Sequence, residues 1–190
     1  KGYIEQLVNN GYKVAICEQT EDPKSAKGVV KREVVQLITP GTVMEGSELA
    51  EKENNYLAAI SVINGKTFGL AYYDLTTGEG RATSVQAIEE LINELFSIGA
   101  KEIVIDQNFD PEYLQKLNER LQVVNSIEID NQIPDEFQHL IQNIDSELLL
   151  DPIGRLVQYL QKTQKRSLVH LQNIQAYQVD QFMKIDYYSK

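Results

Sequence analysis

Residues 14–42 contain the runs Val14-Ala-Ile-Cys-Glu-Gln-Thr-Glu-Asp-Pro23, Lys27-Gly28 and Ile38-Thr-Pro-Gly-Thr42. Two short apolar stretches, 14–17 and 34–38, have the length and composition that are typical of strands. Pro40-Gly41 predicts a type II turn, because proline fixes φ at the first corner and glycine permits a positive φ at the second. We therefore predict two strands, an irregular loop between them and a sharp turn after them, with Cys17 as an inert thiol in the core.

The charge of the chain is unevenly distributed. The 190 residues carry a net charge of −10. Residues 49–145 contain seventeen acidic and six basic residues, residues 1–48 contain seven and six, and residues 146–190 contain four and six. An acidic surface repels phosphates, whereas DNA affinity requires Lys and Arg to displace counterions. We therefore expect the middle of the chain not to bind DNA.

Cysteine content and hydropathy exclude further classes of protein. The chain has one cysteine, which excludes an internal disulfide framework and fits a reducing cytoplasm. It contains no run of about 18 apolar residues, so we expect neither a membrane span nor a membrane partner. The first residue is not methionine, and we expect the chain to be an internal segment of a longer protein.

Hydrophobic periodicity divides the chain into segments. It predicts an amphipathic helix near residues 3–10 whose apolar face is formed by Tyr3, Ile4, Leu7 and Val8. The stretch 45–54 is polar and without periodicity, which is typical of a linker between domains. Residues 148–165 again have helical periodicity.

The segment between the linker and the last helix has the pattern of an α/β domain. The predicted order is strands at 56–63, 67–74 and 79–83, a helix from a Ser84 cap to Gly99, a strand at 103–105, a helix after Asp110-Pro111, and a strand at 123–129. Asn64-Gly65 predicts a hairpin turn between the first two strands. The first helix presents one apolar face, formed by Ile88, Leu91, Ile92, Leu95 and Phe96. Three antiparallel strands followed by alternating helices and strands indicate a mixed sheet with flanking helices.

Two aspartates end strand-like runs. Asp74 and Asp106 occur in the order expected of a ribonuclease-H-type sheet, in which carboxylates at strand ends hold two Mg²⁺ ions. The alternative interpretation is that both aspartates form turns or caps at strand ends, and no third carboxylate completes the set. We therefore assign no catalytic, cofactor-binding or metal-binding residue, and keep a metal-dependent nuclease using Asp74 and Asp106 as an alternative function.

The densest basic cluster lies in the first loop. It consists of Lys24, Lys27, Lys31 and Arg32. Contacts from these side chains to the DNA backbone would provide affinity without sequence information. A solvated loop whose lysines are flanked by acidic residues is the other interpretation. An acidic module that binds a basic protein partner is a further alternative for the chain as a whole.

Several runs resemble the MutS family of DNA mismatch-repair proteins. They are Cys17-Glu-Gln-x-x-Asp-Pro23, Lys27-Gly28, Thr39-Pro-Gly-Thr42, Asn55-Tyr-Leu-Ala-Ala-Ile60, Ala71-Tyr-Tyr-Asp-Leu-Thr-Thr-Gly78, Leu160-Gln-Lys-Thr-Gln164 and Leu168-x-His170. The resemblance implies four parts: the end of the mismatch-binding domain at 1–44, a linker at 45–54, the connector domain at 55–145, and the start of the helical core or lever domain at 146–190.

The resemblance also implies a fold and a role. It implies a ribonuclease-H-like connector with a mixed sheet and flanking helices, preceded by a partial α/β segment and followed by a helical segment. In this family the connector does not cut DNA, links the mismatch-binding domain to the core and the ATPase, and offers a surface to MutL. The segment around 129–138, which corresponds to the proposed MutL contact, departs from the Gln-Gln-containing pattern of the family.

The full-length protein is therefore expected to be a homodimer, a DNA-dependent ATPase that uses ATP and Mg²⁺, and a binder of mismatched double-stranded DNA. It is expected in the bacterial cytoplasm, associated in function with the nucleoid. The family's Phe-x-Glu mismatch motif and its P-loop are both absent from this sequence. We expect them outside the chain, so the chain itself should have no cofactor and no enzymatic activity.

Overall fold

The computed structural model describes residues 2–22, 24, 28–43, 55–164 and 167–179. The expected linker at 45–54 and the end of the tail, 180–190, lie outside the described residues. The described residues form a mixed α/β structure, with a two-stranded sheet in the N-terminal segment and a six-stranded sheet beyond it. The α/β class predicted from the sequence is confirmed.

The N-terminal segment contains one helix and one strand pair. Helix α1 (Gly2–Asn9) is followed by strands β1 (Val14–Gln19) and β2 (Arg32–Ile38). The strands pair antiparallel, with an irregularity in register between Ile16 and Cys17. The order helix, strand, loop and strand agrees with the prediction from the apolar runs.

The burial predicted for this segment is wrong at Cys17 and Tyr3. The thiol of Cys17 is exposed, and Tyr3, on the expected apolar face of α1, is 83% exposed. Among the residues of α1 only Val8 is buried. A two-stranded sheet has few neighbours to cover its faces, so an apolar run is not sufficient to bury its side chains. Cys17 is therefore a surface thiol rather than a core residue.

The turn at residues 39–42, which we call the TPGT turn, is not of type II. The backbone N–H of Thr42 donates to the carbonyl of Thr39 at 3.0 Å, which closes the turn. Gly41 is not among the glycines with positive φ, whereas a type II turn requires a positive φ at that corner. The space around Gly41 explains the glycine instead, because a Cβ at this position would lie 2.8 Å from the Cβ of Glu102.

The larger sheet has the strand order β7-β6-β3-β4-β5-β8. Its strands are β3 (Tyr56–Ile63), β4 (Thr67–Asp74), β5 (Gly80–Val85), β6 (Glu102–Ile105), β7 (Val124–Ile127) and β8 (Gln175–Ala176). The first three form an antiparallel meander, β6 runs parallel to β3, β7 to β6, and β8 to β5. Residues 64–66 connect β3 and β4, since Ile63 is paired with Thr67. Asn64 and Gly65 have φ values of 51° and 71°, the positive values that the central residues of a type I′ turn require.

Both faces of this sheet are covered, because alternate residues of its central strands enter two different cores. On one face Leu57, Ala59 and Tyr73 pack with helix α4 (Leu150–Thr163). On the other face Ala58, Ile60, Leu70 and Tyr72 pack with residues of helices α2 (Ile88–Ile98) and α3 (Pro111–Arg120). A sheet covered on both faces requires strands that are apolar throughout, which is why β3 and β4 are continuous apolar runs.

Two details of helix α2 differ from the prediction. Ser84 lies within β5, and Ala87 is the residue that precedes the helix. Phe96 is 62% exposed and does not share the buried face. The predicted ends elsewhere are correct: Gly99 has the left-handed conformation of a C-cap, and the side chain of Asp110 accepts the backbone N–H of Glu112 at 2.8 Å at the start of α3.

The expected boundary at residue 145 does not separate two cores. The segment that follows β7 contains 3₁₀ helices at Asp135–Ile141 and Glu147–Leu149. Helix α4 then packs on β3 and β4, and Leu168 and Ile174 are buried in the same core as α4. Strand β8 extends the sheet itself. The described residues after 145 therefore share the core of the larger sheet and contribute a strand to it.

Helix α4 contains a glycine at a close contact that supplies a test of this packing. A Cβ at Gly154 would collide with the backbone carbonyl of Asn131, in the segment that crosses the helix. We expect Gly154→Ala to lower the free energy of unfolding by about 1–3 kcal/mol, the usual cost of overpacking, because neither backbone can easily move aside. Urea denaturation followed by circular dichroism measures this loss.

The matched control is Gly2→Ala, since a Cβ at Gly2 meets nothing within 4 Å. This control should change the unfolding free energy by no more than about 1 kcal/mol, and in the stabilising direction, because alanine favours a helix. Equal stability of the Gly154→Ala variant and the unchanged chain would contradict the observed contact between α4 and the segment around Asn131.

Candidate functional site

The basic loop is accessible, and its cations are interleaved with acidic residues. Lys24, Lys31 and Arg32 are all exposed, while Lys27 lies outside the described residues. The ammonium of Lys31 lies 2.6 Å from a carboxylate oxygen of Glu33. The hydrogen bond and the charge of Glu33 raise the pKa of Lys31, so this lysine stays protonated. The loop therefore presents positive charge to solvent, part of which is neutralised, and contact with DNA stays a prediction.

The two aspartates of the alternative nuclease site lie far apart. Asp74 is opposite Tyr56, at the start of β3. Asp106 follows β6, which is parallel to β3 with Val104 opposite Ala59, so Asp106 is level with residue 61. The two levels differ by five strand residues, about 16 Å. A two-metal site holds its ions about 4 Å apart, and each ion is bound by carboxylate oxygens at about 2 Å. The nuclease prediction from Asp74 and Asp106 is therefore wrong.

Each of these aspartates has a structural partner. Asp74 is 3% exposed, and its carboxylate accepts the backbone N–H of Thr76 at 2.8 Å. Asp106 accepts the backbone N–H of Asn108 at 2.7 Å. The interpretation of both residues as turn formers agrees with these hydrogen bonds. Within the part of the chain that the structure describes, no three His, Cys, Asp or Glu side chains form a group that could hold a metal ion.

A buried arginine provides the positive charge beside Asp106. Arg155, on α4, is 4% exposed. Its two terminal nitrogens lie 3.3 Å from a carboxylate oxygen of Asp106 and 3.1 Å from one of Asp151. It also donates to the backbone carbonyl of Glu128, and its buried Nε has no partner among the described residues. The guanidinium thus places one positive charge beside the two carboxylates.

The arginine forms one wall of an open cleft of about 340 Å³. The cleft is lined by residues that include Ser61, Asp106, Asp110, Tyr113 and Asp151. Two of its aspartates, at 106 and 151, are paired with the arginine. The arrangement is chemically suited to attaching α4 to the sheet rather than to catalysis.

The carboxylate of Asp151 has several donors. Burial raises its pKa, but hydrogen bonds from Ser61 and Asn131, together with the charge and the hydrogen bond of Arg155, outweigh burial. The pKa of the Asp151 carboxyl is consequently lowered from its ordinary value of 3.8. A carboxyl group whose pKa is lower in the folded state stabilises the fold above that ordinary value, and this stabilisation is lost as the pH falls through the folded value.

Sequence reasoning missed this cluster. Arg155 lies among Ile153, Leu156 and Val157 on the apolar face of α4, where a charged residue is unusual unless it is paired. The available signal was the spacing of Asp151 and Arg155, because residues four apart on a helix are neighbours. The partner on the sheet, Asp106, could not be identified without the tertiary structure.

The fold and this site define a two-part α/β protein in which the carboxylates of Asp106 and Asp151 serve packing rather than metal binding. Two family models match the chain: MutS domain I at residues 1–47 and MutS domain II at residues 55–175. The second match covers more than half of the chain. The chain therefore belongs to the MutS family.

Individual relatives agree with the family models. The DNA mismatch repair protein MutS of Geobacillus sp. (strain WCH70) is 55% identical over 190 residues, which are 100% of this chain and 22% of that protein. The proteins of the same name are 53% identical in Bacillus licheniformis, over 99% of this chain and 21% of that protein, and 52% identical in Bacillus cereus (strain G9842), over 100% and 21%. The chain thus spans about a fifth of the length of these relatives.

None of the described helices combines the length and the apolar character needed to cross a membrane.

The stability contributed by Asp151 predicts a pH dependence. We expect Asp151→Asn to lower the melting temperature at neutral pH, because the asparagine cannot balance the charge of Arg155. We also expect this variant to lose less of its melting temperature between about pH 6 and about pH 3, because it lacks the carboxyl group whose protonation destabilises the fold. Differential scanning calorimetry at a series of pH values measures both effects.

The control for this series is Asp145→Asn, which changes an exposed carboxylate outside the cluster. It should retain the pH dependence of the unchanged chain. Identical pH profiles for Asp151→Asn and Asp145→Asn would refute a stabilising role for the ionised Asp151.

Proposed function

We propose that this chain is part of a bacterial protein that recognises mismatched double-stranded DNA and starts mismatch repair. The proposal rests on the match over the whole chain to relatives named DNA mismatch repair protein MutS. In the whole protein, ATP and Mg²⁺ serve an ATPase that lies outside this chain. The protein acts as a homodimer in the cytoplasm, in functional association with the nucleoid, and passes its signal to MutL.

Within that protein we propose a non-catalytic, connecting role for this chain. Residues 1–44 form the end of the mismatch-binding domain, and the larger sheet forms the connector that follows it. We extend the connector beyond residue 145, because α4 and β8 pack with the sheet. The single observation that carries the non-catalytic role is the guanidinium of Arg155 between Asp106 and Asp151.

We further propose that the connector has a ribonuclease-H-like fold. The order of the strands supports this: the antiparallel meander β3-β4-β5 is extended at β3 by two parallel strands that each follow a helix. In this connector a buried arginine takes the place of metal ions, which accounts for a nuclease-like sheet without nuclease chemistry. The acidic surface of residues 49–145 also favours protein partners over DNA.

The test compares the 190-residue chain with the whole protein that contains it. Fluorescence anisotropy with a mismatched and a matched duplex of otherwise identical sequence should show a preference for the mismatch only in the whole protein. ATP hydrolysis should likewise be detected only with the whole protein. A mismatch preference in the 190-residue chain alone, or Mg²⁺-dependent cleavage that disappears in Asp106→Asn, would overturn the proposed division of roles.

The basic loop gives a separate prediction about DNA affinity. In the whole protein we expect the double variant Lys31→Gln and Arg32→Gln to bind matched and mismatched duplexes more weakly by the same factor, because phosphate contacts carry no sequence information. The slope of log K against log salt should become shallower by about 1 for each phosphate that the variant no longer neutralises.

The matched control for charge is Lys116→Gln. Lys116 lies on α3 of the connector, in an exposed ion pair with Glu112 at 3.1 Å. Since this lysine belongs to the acidic part of the chain, its loss should leave affinity and salt dependence unchanged. If the loop variant and this control have the same salt dependence, the loop does not contact the DNA backbone.

A further inference from the structure

The TPGT turn connects the N-terminal segment to the connector through one carboxylate. The backbone N–H of Gly41 donates to Oε2 of Glu102 at 2.9 Å. The turn is ordered internally, because the side chain of Thr42 accepts the backbone N–H of Thr39 at 2.9 Å. Both threonines are buried, with exposures of 0% and 4%. The turn therefore presents a fixed N–H group to the connector.

Glu102 is the first residue of β6 and is completely buried. Its other oxygen, Oε1, accepts the hydroxyl of Ser126 on β7 and that of Tyr159 on α4, each at 2.5 Å. A buried carboxylate destabilises a fold by several kcal/mol unless hydrogen bonds satisfy it. Here three neutral donors from three different parts of the chain converge on one group, and one of the three is the turn.

The turn can reach this carboxylate only because it carries glycine at residue 41. A Cβ there would lie 2.8 Å from the Cβ of Glu102 and 2.9 Å from Cδ1 of Leu57. The neighbouring atoms belong to the adjacent strands β6 and β3, each of which is paired on both sides. They cannot move aside without disturbing β6, so an added side chain would displace the turn instead.

A second contact crosses the same junction. The ammonium of Lys13, which precedes β1, lies 6.0 Å from the centre of the Tyr159 ring. Tyr159 thus contacts the N-terminal segment with its ring face and Glu102 with its hydroxyl. The buried carboxylate raises the pKa of Tyr159 further after burial has raised it, so the hydroxyl remains a donor. The side chain of Tyr159 therefore contacts both Lys13 and Glu102.

We propose that Glu102 is a positioning residue that holds the N-terminal segment, residues 2–43, in a fixed orientation on the connector by binding the N–H of Gly41. A hydrogen bond is directional, so it constrains the angle of the segment as well as its distance. We call this hydrogen bond between Gly41 and Glu102 the latch. Its importance for mismatch signalling rests on the proposed function, whereas the latch itself can be tested without DNA.

The first experiment is hydrogen exchange measured by mass spectrometry on the 190-residue chain. Gly41→Ala should accelerate exchange in peptides covering residues 32–43 by about tenfold, the change expected when one hydrogen bond is removed. Peptides covering β3 and β4 should keep their protection, because the substitution does not remove any atom of the connector. Gly2→Ala is the matched control, and its exchange over residues 32–43 should equal that of the unchanged chain.

The second experiment removes the hydrogen-bond acceptor, Glu102, instead of preventing the close contact of Gly41. Glu102→Met keeps the length of the side chain but cannot accept the N–H of Gly41. In a sample labelled with ¹⁵N-glycine, the Gly41 amide proton should resonate downfield in the unchanged chain and move upfield in this variant. The amide of Gly65, in the distant β3–β4 hairpin, should not move and shows that the connector is still folded.

The two experiments decide the proposal together. Faster exchange confined to residues 32–43, with an upfield shift of Gly41, supports the latch. Unchanged exchange in Gly41→Ala, or an unmoved Gly41 signal in Glu102→Met with Gly65 in place, overturns it. Neither readout uses DNA or ATP, so failure of the latch would be distinguishable from failure of the proposed function.

Discussion

The contact between helix α4 and strand β6 is the interaction on which the rest of this structure depends. Glu102 and Asp106 lie at the two ends of β6, on the face that also carries Val104. Tyr159 binds the first carboxylate and Arg155 the second. These two polar contacts fix α4 along the strand, with apolar packing between them. An apolar interface alone would permit sliding, because hydrophobic burial is not directional.

This contact determines how the chain accommodates an acidic sequence. Most of its seventeen acidic residues between 49 and 145 can face water, but Asp74, Glu102 and Glu128 are buried and Asp106 is only partly exposed. The structure satisfies Glu102 with neutral donors and Asp106 with a guanidinium. Because the two hydroxyl groups bind Oε1 of Glu102, its Oε2 is left for the N–H of Gly41. The guanidinium of Arg155 supplies positive charge beside Asp106, as bound metal ions would in a nuclease.

The same reasoning explains which predictions were correct. Strands β3 and β4 could be predicted from sequence with correct ends, because their apolar runs are bounded by Asn64-Gly65 and by turn-forming residues. The caps of α2 and α3 at Gly99 and Asp110 are equally local. Cys17 and Phe96 were misplaced because burial depends on what covers a surface, and that covering is not local.

The sequence by itself determined the family, the order of helices and strands as far as α4, and the separation of basic, acidic and neutral regions, since each depends on residues close together in the chain. Only the tertiary structure decided that Asp74 and Asp106 lie at different levels of the sheet and that α4 packs on that sheet. It also decided that residue 41 is glycine because the turn lies close to Glu102, and not because the backbone requires a positive φ there. Each of these depends on pairs separated by more than thirty residues, whose meeting is set by strand register and packing.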